Sequence, residues 1–107
     1  MYRPLITFAF LVLTSSIFSQ NFGSLKGKVL NSETGFPLEG ATIIVEDSDF
    51  FAISDQNGFF QILDLPTTSY NITTSFIGFK SQTKFNVIVK SVGNQSLDFT
   101  LSPLSDI

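Results

Sequence analysis

The side chains able to do chemistry in this sequence are few and mostly of one kind. Histidine and cysteine are both absent. That removes the commonest general bases, thiol nucleophiles and nearly all zinc-ligand sets. Serines are plentiful, but none sits in a Gly-x-Ser-x-Gly elbow, and a serine without a base beside it is an ordinary loop residue. The carboxylates remain. Glu46, Asp47 and Asp49 share one short polar break, and Asp55-Gln56-Asn57-Gly58 follows a few residues later. A general acid–base pair needs two carboxylates held in different environments, and nothing around these turns supplies that difference.

A hard cation is the other chemistry carboxylates can do. Asp47, Asp49, Asp55 and Asn57 are the candidate oxygen ligands for calcium, which takes six or more. Asp55 to Gly58 has the D-x-N-G spacing of a calcium loop, but such a loop continues to a spaced glutamate. Here Phe59-Phe60-Gln61-Ile62 follows instead. The pattern reads as a hairpin turn, with Asp55 capping through its side chain and Asn57-Gly58 accommodating positive φ. The 46–49 break reads as a solvated turn. The expected inventory is no catalytic residue, no cofactor and no metal ligand.

Composition sets the frame. The chain has 107 residues, enough for one small domain. Apolar residues make up 43% and charged residues only 14%, a balance that suits strands more than exposed helices. Net charge is −3 with scattered lysines, a poor match to nucleic acid. Without cysteine there is no disulfide from which to read a compartment.

The elements that must position these residues begin after an apolar leader. Arg3 supplies a positive start, Leu5 to Leu13 is uninterruptedly apolar, and Thr14 to Gln20 turns polar with small Ser19 before a cut. The apolar run is roughly half the ~20 residues a spanning helix needs. Residues 1–20 are therefore expected to be a cleaved secretory signal, the mature chain starting near Gln20 or Asn21. The Ser-Gln ending resembles leaders of Bacteroidetes secreted and outer-membrane proteins.

Beyond the leader the apolar period is two. Leu25, Gly27 and Val29 alternate with Lys26, Lys28 and Leu30; Ala41, Ile43 and Val45 alternate with Thr42, Ile44 and Glu46. Between them, Pro37 bars a helix and Gly40 can take the positive φ of a reversal. Strands are expected over 50–54, 59–63, 70–76, 85–89 and 97–101, with 64–69 as a loop and Gly78 as a bend. Phe60, Phe76, Phe85 and Phe99 fall in core parity, whereas Phe50, Phe51, Phe59 and Phe79 are candidates for an exposed docking patch. Seven short strands with turn signals every 8–12 residues predict an all-β, seven-stranded Greek-key β-sandwich. An immunoglobulin-like domain is the rival, without the Cys and Trp that would mark one.

Four segments together carry a family resemblance. They are Gly27-Lys28-Val29, Thr34-Gly35-Phe36-Pro37-Leu38-Glu39-Gly40-Ala41, Ser54-Asp55-Gln56-Asn57-Gly58-Phe59-Phe60-Gln61-Ile62, and the pair Tyr70-Asn71-Ile72 with Phe76-Ile77-Gly78-Phe79. They resemble the carboxypeptidase regulatory-like domain, with Ser54 where the family usually has Thr and phenylalanines where it has tyrosines. The resemblance implies a transthyretin/prealbumin-like, non-catalytic sandwich over 21–102, with 103–107 as a connector or truncated tail. It implies a place beside metallocarboxypeptidases, in surface proteins, or ahead of the plug of TonB-dependent outer-membrane receptors in the periplasm of a Gram-negative bacterium. The expected partner is then a protein, either a receptor plug and barrel or another envelope protein. Contact with the membrane would be indirect, and nucleic acid is not expected. An accessory domain of a secreted peptidase and a carbohydrate-binding or adhesion sandwich are the alternatives. The apolar Ile107 at the end suggests a receptor head stopped early.

Overall fold

A computed structural model describes residues 21–92 and 95–105; the proposed leader lies outside them. Seven strands form: β1 (Phe22–Asn31), β2 (Thr42–Val45), β3 (Phe51–Ile53), β4 (Phe59–Pro66), β5 (Ser69–Ser75), β6 (Gln82–Ile88) and β7 (Phe99–Leu101). They build a three-stranded sheet in the order β4-β1-β7 and a four-stranded sheet in the order β3-β2-β5-β6. All pairs are antiparallel except β1–β7, which is parallel. This is the expected β-sandwich, and β3 and β4 lie on one side of it with β6 and β7 on the other.

The alternation read from the sequence decides which side chains face inward. Leu25, Val29, Ala41, Ile43, Val45, Phe60, Ile62, Ile72, Phe99 and Leu101 are buried between the sheets. Gly27 is required in that layer: a Cβ there would land on the Leu97 carbonyl oxygen, so only glycine lets the segment before β7 approach β1. Phe60 and Phe99 meet with ring centroids 6.3 Å apart in a tilted pair. Tyr70 ties the crossing from β4 to β5, its hydroxyl donating to the Pro66 carbonyl at 2.7 Å, and burial pushes its pKa up. Thr74 is fully buried among these apolar groups and its hydroxyl has no partner.

Two bulges account for departures from the expected pattern. β4 continues to Pro66 where a loop was expected from Asp64. Asp64 takes φ +59°, and the β1–β4 register shifts there, so Leu65 turns inward out of step with Ile62. In β6, Asn86 takes φ +56° and the register with β5 shifts between Tyr70 and Ile72. Strict alternation from Val89 would put Phe85 in the core; the bulge reverses the faces, and Phe85 is 68% exposed. Its expected core position was wrong for that reason. Phe76 lies at the margin, packed on Phe79 at 5.5 Å across the bend at Gly78.

The β6/β7 side is stitched shut. Phe79 bridges to Pro103, Lys80 N–H donates to the Ser102 carbonyl at 2.8 Å, and Leu104 N–H donates to the Gly78 carbonyl at 2.9 Å. The Thr100 N–H donates to the Gln82 side chain at 3.3 Å. Lys84 Nζ lies 5.4 Å from the centroid of the Phe99 ring, covering that end of the core.

Removing the ring of a buried phenylalanine typically costs about 3–5 kcal/mol, a large part of the roughly 5–15 kcal/mol that holds a domain folded. Phe60→Ala should therefore leave little folded protein, while Gln61→Ala, on the outer face of the same strand, should be nearly silent. Chemical denaturation of the two variants checks this; equal midpoints would contradict the burial of Phe60.

Candidate functional site

The two carboxylate-bearing turns lie at opposite ends of β3. Glu46, Asp47 and Asp49 occupy the β2–β3 connection, where Asp47 takes φ +61° and Ser48 Oγ donates to the Val45 carbonyl at 2.8 Å. Asp55 and Asn57 occupy the β3–β4 connection. Five residues of largely extended chain lie between Asp49 and Asp55, so the two are about 20 Å apart at roughly 3.3 Å per residue step. The four calcium candidates thus do not converge, and no group of three acidic side chains clusters among the described residues.

Asp55 does structural work instead. Its Oδ1 accepts the N–H groups of Asn57 and Phe59, both at 2.9 Å, and its own N–H donates to the Phe59 carbonyl. Gly58, at φ +79°, closes the turn; a Cβ there would press on the Val29 carbonyl oxygen and on Pro37. Next to it, buried Ser54 donates from Oγ to the Leu38 carbonyl at 2.6 Å and accepts the Ala41 N–H at 2.9 Å. The Gly40 N–H reaches the Ser54 carbonyl at 3.0 Å, with Gly40 at φ +90°. The Pro37–Ala41 turn and the β3–β4 connection are thereby one unit; the turn at Asp55–Gly58 forms as expected, but the strands it joins go to different sheets and make no hairpin.

The surface that this unit presents is apolar. Phe51 is 60% exposed and Ile53 58%, both on the outer face of β3, and Ile44 stands beside Phe51 across the β2–β3 pair. Phe59 is half exposed on β4. Ile53 and Phe59 both line a cleft of about 570 Å³ that also takes in Asp55, Gln61, Lys28 and Asp98. Lys28 Nζ lies 5.6 Å from the Phe59 ring centroid, and the Lys28 N–H donates to Asp98 Oδ1 at 3.1 Å. Of the four phenylalanines expected in a docking patch, Phe51 and Phe59 are there; Phe50 and Phe79 are partly buried against the core. Ile44 and Ile53 complete the patch and were missed. The parity of Phe51-Ala52-Ile53 would have found Ile53, since it shares a face with Phe51.

Residues 25–106 match the model of the CarboxypepD_reg-like domain, and the chain belongs to that family. Human carboxypeptidase D is 38% identical over 79 residues, 74% of this chain but 6% of that protein's length. Among solved structures, a type II cohesin–X–dockerin complex from Acetivibrio cellulolyticus superposes with a TM-score of 0.64 at 18% identity, over 76% of this chain and 58% of that one. A putative carbohydrate binding protein from Bacteroides uniformis gives 0.60 at 18% identity, over 78% and 42%. At such identities the structural matches establish the sandwich fold alone. The family's domain is a regulatory-like sandwich and not a catalytic one.

Ser54 provides the test of how the unit is held. Ser54→Ala strands a buried N–H and a buried carbonyl, which costs about 1–3 kcal/mol. Ser54→Thr keeps the hydroxyl and should retain most of the stability. Thermal melts of both variants check this, and equal losses would show that the hydroxyl is not what joins the turns.

Proposed function

We propose that this chain is an exported, non-enzymatic docking module, the periplasmic N-terminal domain associated with a TonB-dependent outer-membrane receptor. The observation that carries the reading is the exposed apolar strip Ile44, Phe51, Ile53 and Phe59 on a family fold whose two acidic turns lie at opposite ends of β3. Monomeric proteins keep contiguous apolar surface small, and an apolar strip at a sheet margin suits protein contact. The receptor setting comes from the leader and from the family resemblance of the Thr34–Ala41 and Ser54–Ile62 motifs. Fold alone does not assign a function.

The carbohydrate-binding reading has one observation in its favour, the Phe59 ring among Gln61, Asp98 and Lys28 in the cleft. Lys28 already lies over that ring, so a sugar would have to displace it.

In-cell photo-crosslinking from position 51 in the host, followed by fractionation, tests the docking reading. The expected result is an envelope-fraction adduct with an outer-membrane β-barrel protein, and a purified chain whose N-terminal sequencing starts near Gln20. Intact Met1 on exported material would contradict the cleaved leader. Peptide hydrolysis lost on changing Asp98 to Asn would contradict the non-enzymatic assignment.

A further inference from the structure

The two sides of the sandwich are finished differently. On the β6/β7 side the backbone is tied by Lys80, Thr100 and Leu104, and three lysines (Lys80, Lys84 and Lys90) lie along or beside β6. Lysine on an edge strand discourages pairing with other chains. On the β3/β4 side neither edge strand carries a lysine, and the nearest, Lys28 of β1, lies over the Phe59 ring. Residues 29–79 contain no lysine or arginine at all, although they hold Glu46, Asp47, Asp49, Asp55 and Asp64.

The free edge of β3 can be read from its hydrogen bonds. Val45 N–H donates to the Phe50 carbonyl, and Ser54 N–H donates to the Ala41 carbonyl. In an antiparallel ladder bonded and non-bonded pairs alternate, so Ile43 and Ala52 are the bonded pair between them. The N–H and C=O groups of Phe51 and Ile53 therefore point away from β2, at the open side. The same alternation from Val29 and Gly58 turns the backbone of Gln61 outward from β4. Unpaired edge groups lie beside exposed apolar side chains.

A second copy of the chain is a poor occupant. Two-fold antiparallel pairing centred on Ala52 sets each Asp49 opposite Asp55 of the other copy, one carboxylate pair at each end. Like charges directly opposed across strands destabilise the pairing. The same bracket of acids favours a strand with the opposite sign at its ends.

We infer that the β3 edge receives an extended segment of another protein, about seven residues long, with alternating apolar residues and lysine or arginine at both ends. This rests on the docking reading and names its surface. The segment extends the four-stranded sheet beyond β3, hydrogen-bonds to Phe51 and Ile53, and lays its outward apolar side chains beside theirs. Its basic ends meet Asp49 and Asp55. Backbone bonds supply affinity and the side-chain pattern supplies selectivity, as in strand addition generally.

The test titrates the protein, purified from an exporting host, with a peptide of alternating valine and threonine flanked by two lysines at each end, using calorimetry and amide NMR shifts. Binding should weaken by about tenfold or more for a glutamate-flanked peptide and for the Phe51→Ser/Ile53→Ser double variant. It should weaken with added salt. Phe85→Ser, an equally exposed phenylalanine on β6, should bind as wild type. A lysine-flanked peptide N-methylated at alternate backbone positions on its bonding edge should fail to bind wild-type protein, a result independent of any variant's folding. Binding that survives N-methylation, or is lost with Phe85→Ser and kept without Phe51 and Ile53, overturns the β3 assignment. So does no binding of either peptide, even where the in-cell adduct from position 51 shows that a partner docks on the outer face of β3 without pairing to its edge.

Discussion

The hydroxyl of Ser54 is the interaction on which the rest of the structure depends. It joins the Leu38 carbonyl to the Ala41 N–H inside the protein, where neither group can find water. Losing a buried partner costs more than a hydrogen bond on the surface yields, so the Pro37–Ala41 turn and the end of β3 cannot move independently. Asp55 then fixes the next four residues through two backbone N–H groups, and β4 leaves for the other sheet. The consequence is topological. β2 is tied to β3 and β1 to β4, and both outer strands finish on the same side with no further strand paired to them among the described residues.

Closure of the opposite side follows from a second constraint, the missing side chain at Gly27. Because the chain near Leu97 can lie against β1, β7 enters parallel to it, an arrangement that no hairpin could produce. From there Ser102, Pro103 and Leu104 reach across to the bend at Gly78. The sandwich has one sealed flank whose edge strand carries lysines and one open flank whose β3 edge lies between acidic turns. That polarity gives the sandwich two chemically different flanks.

Much of this was legible from residue types. The alternation at Leu25–Val29 and Ala41–Val45 marks inward faces correctly because those strands run without interruption. The turn at Asp55–Gly58 is legible because turn chemistry is local, whereas the hairpin pairing expected across it does not form, since β3 and β4 belong to different sheets. The failures at Phe85 and beyond Asp64 have one cause, a non-glycine residue at positive φ that inserts a bulge and reverses the faces. Asp and Asn are the non-glycine types that most readily take positive φ, but the type alone does not say which of the chain's many Asp and Asn residues does so. Pairing order was likewise hidden, since β1–β7 contact joins residues some seventy apart. The apolar patch was half visible: Phe51 and Phe59 by their type, Ile44 and Ile53 only once the strands are paired.

Amide hydrogen exchange measures the difference between the flanks most directly, since an unpaired edge N–H exchanges without any opening of the structure while a bonded one waits for it. In the isolated protein the amides of Phe51, Ile53 and Gln61 should exchange rapidly, and those of Lys80, Thr100 and Leu104 slowly. The Ala52 amide, between two fast neighbours on the same strand, should be slow as well. Protection of Phe51 and Ile53 equal to that of Ala52, or rapid exchange at Thr100 and Lys80, would contradict an open β3 flank set against a sealed one.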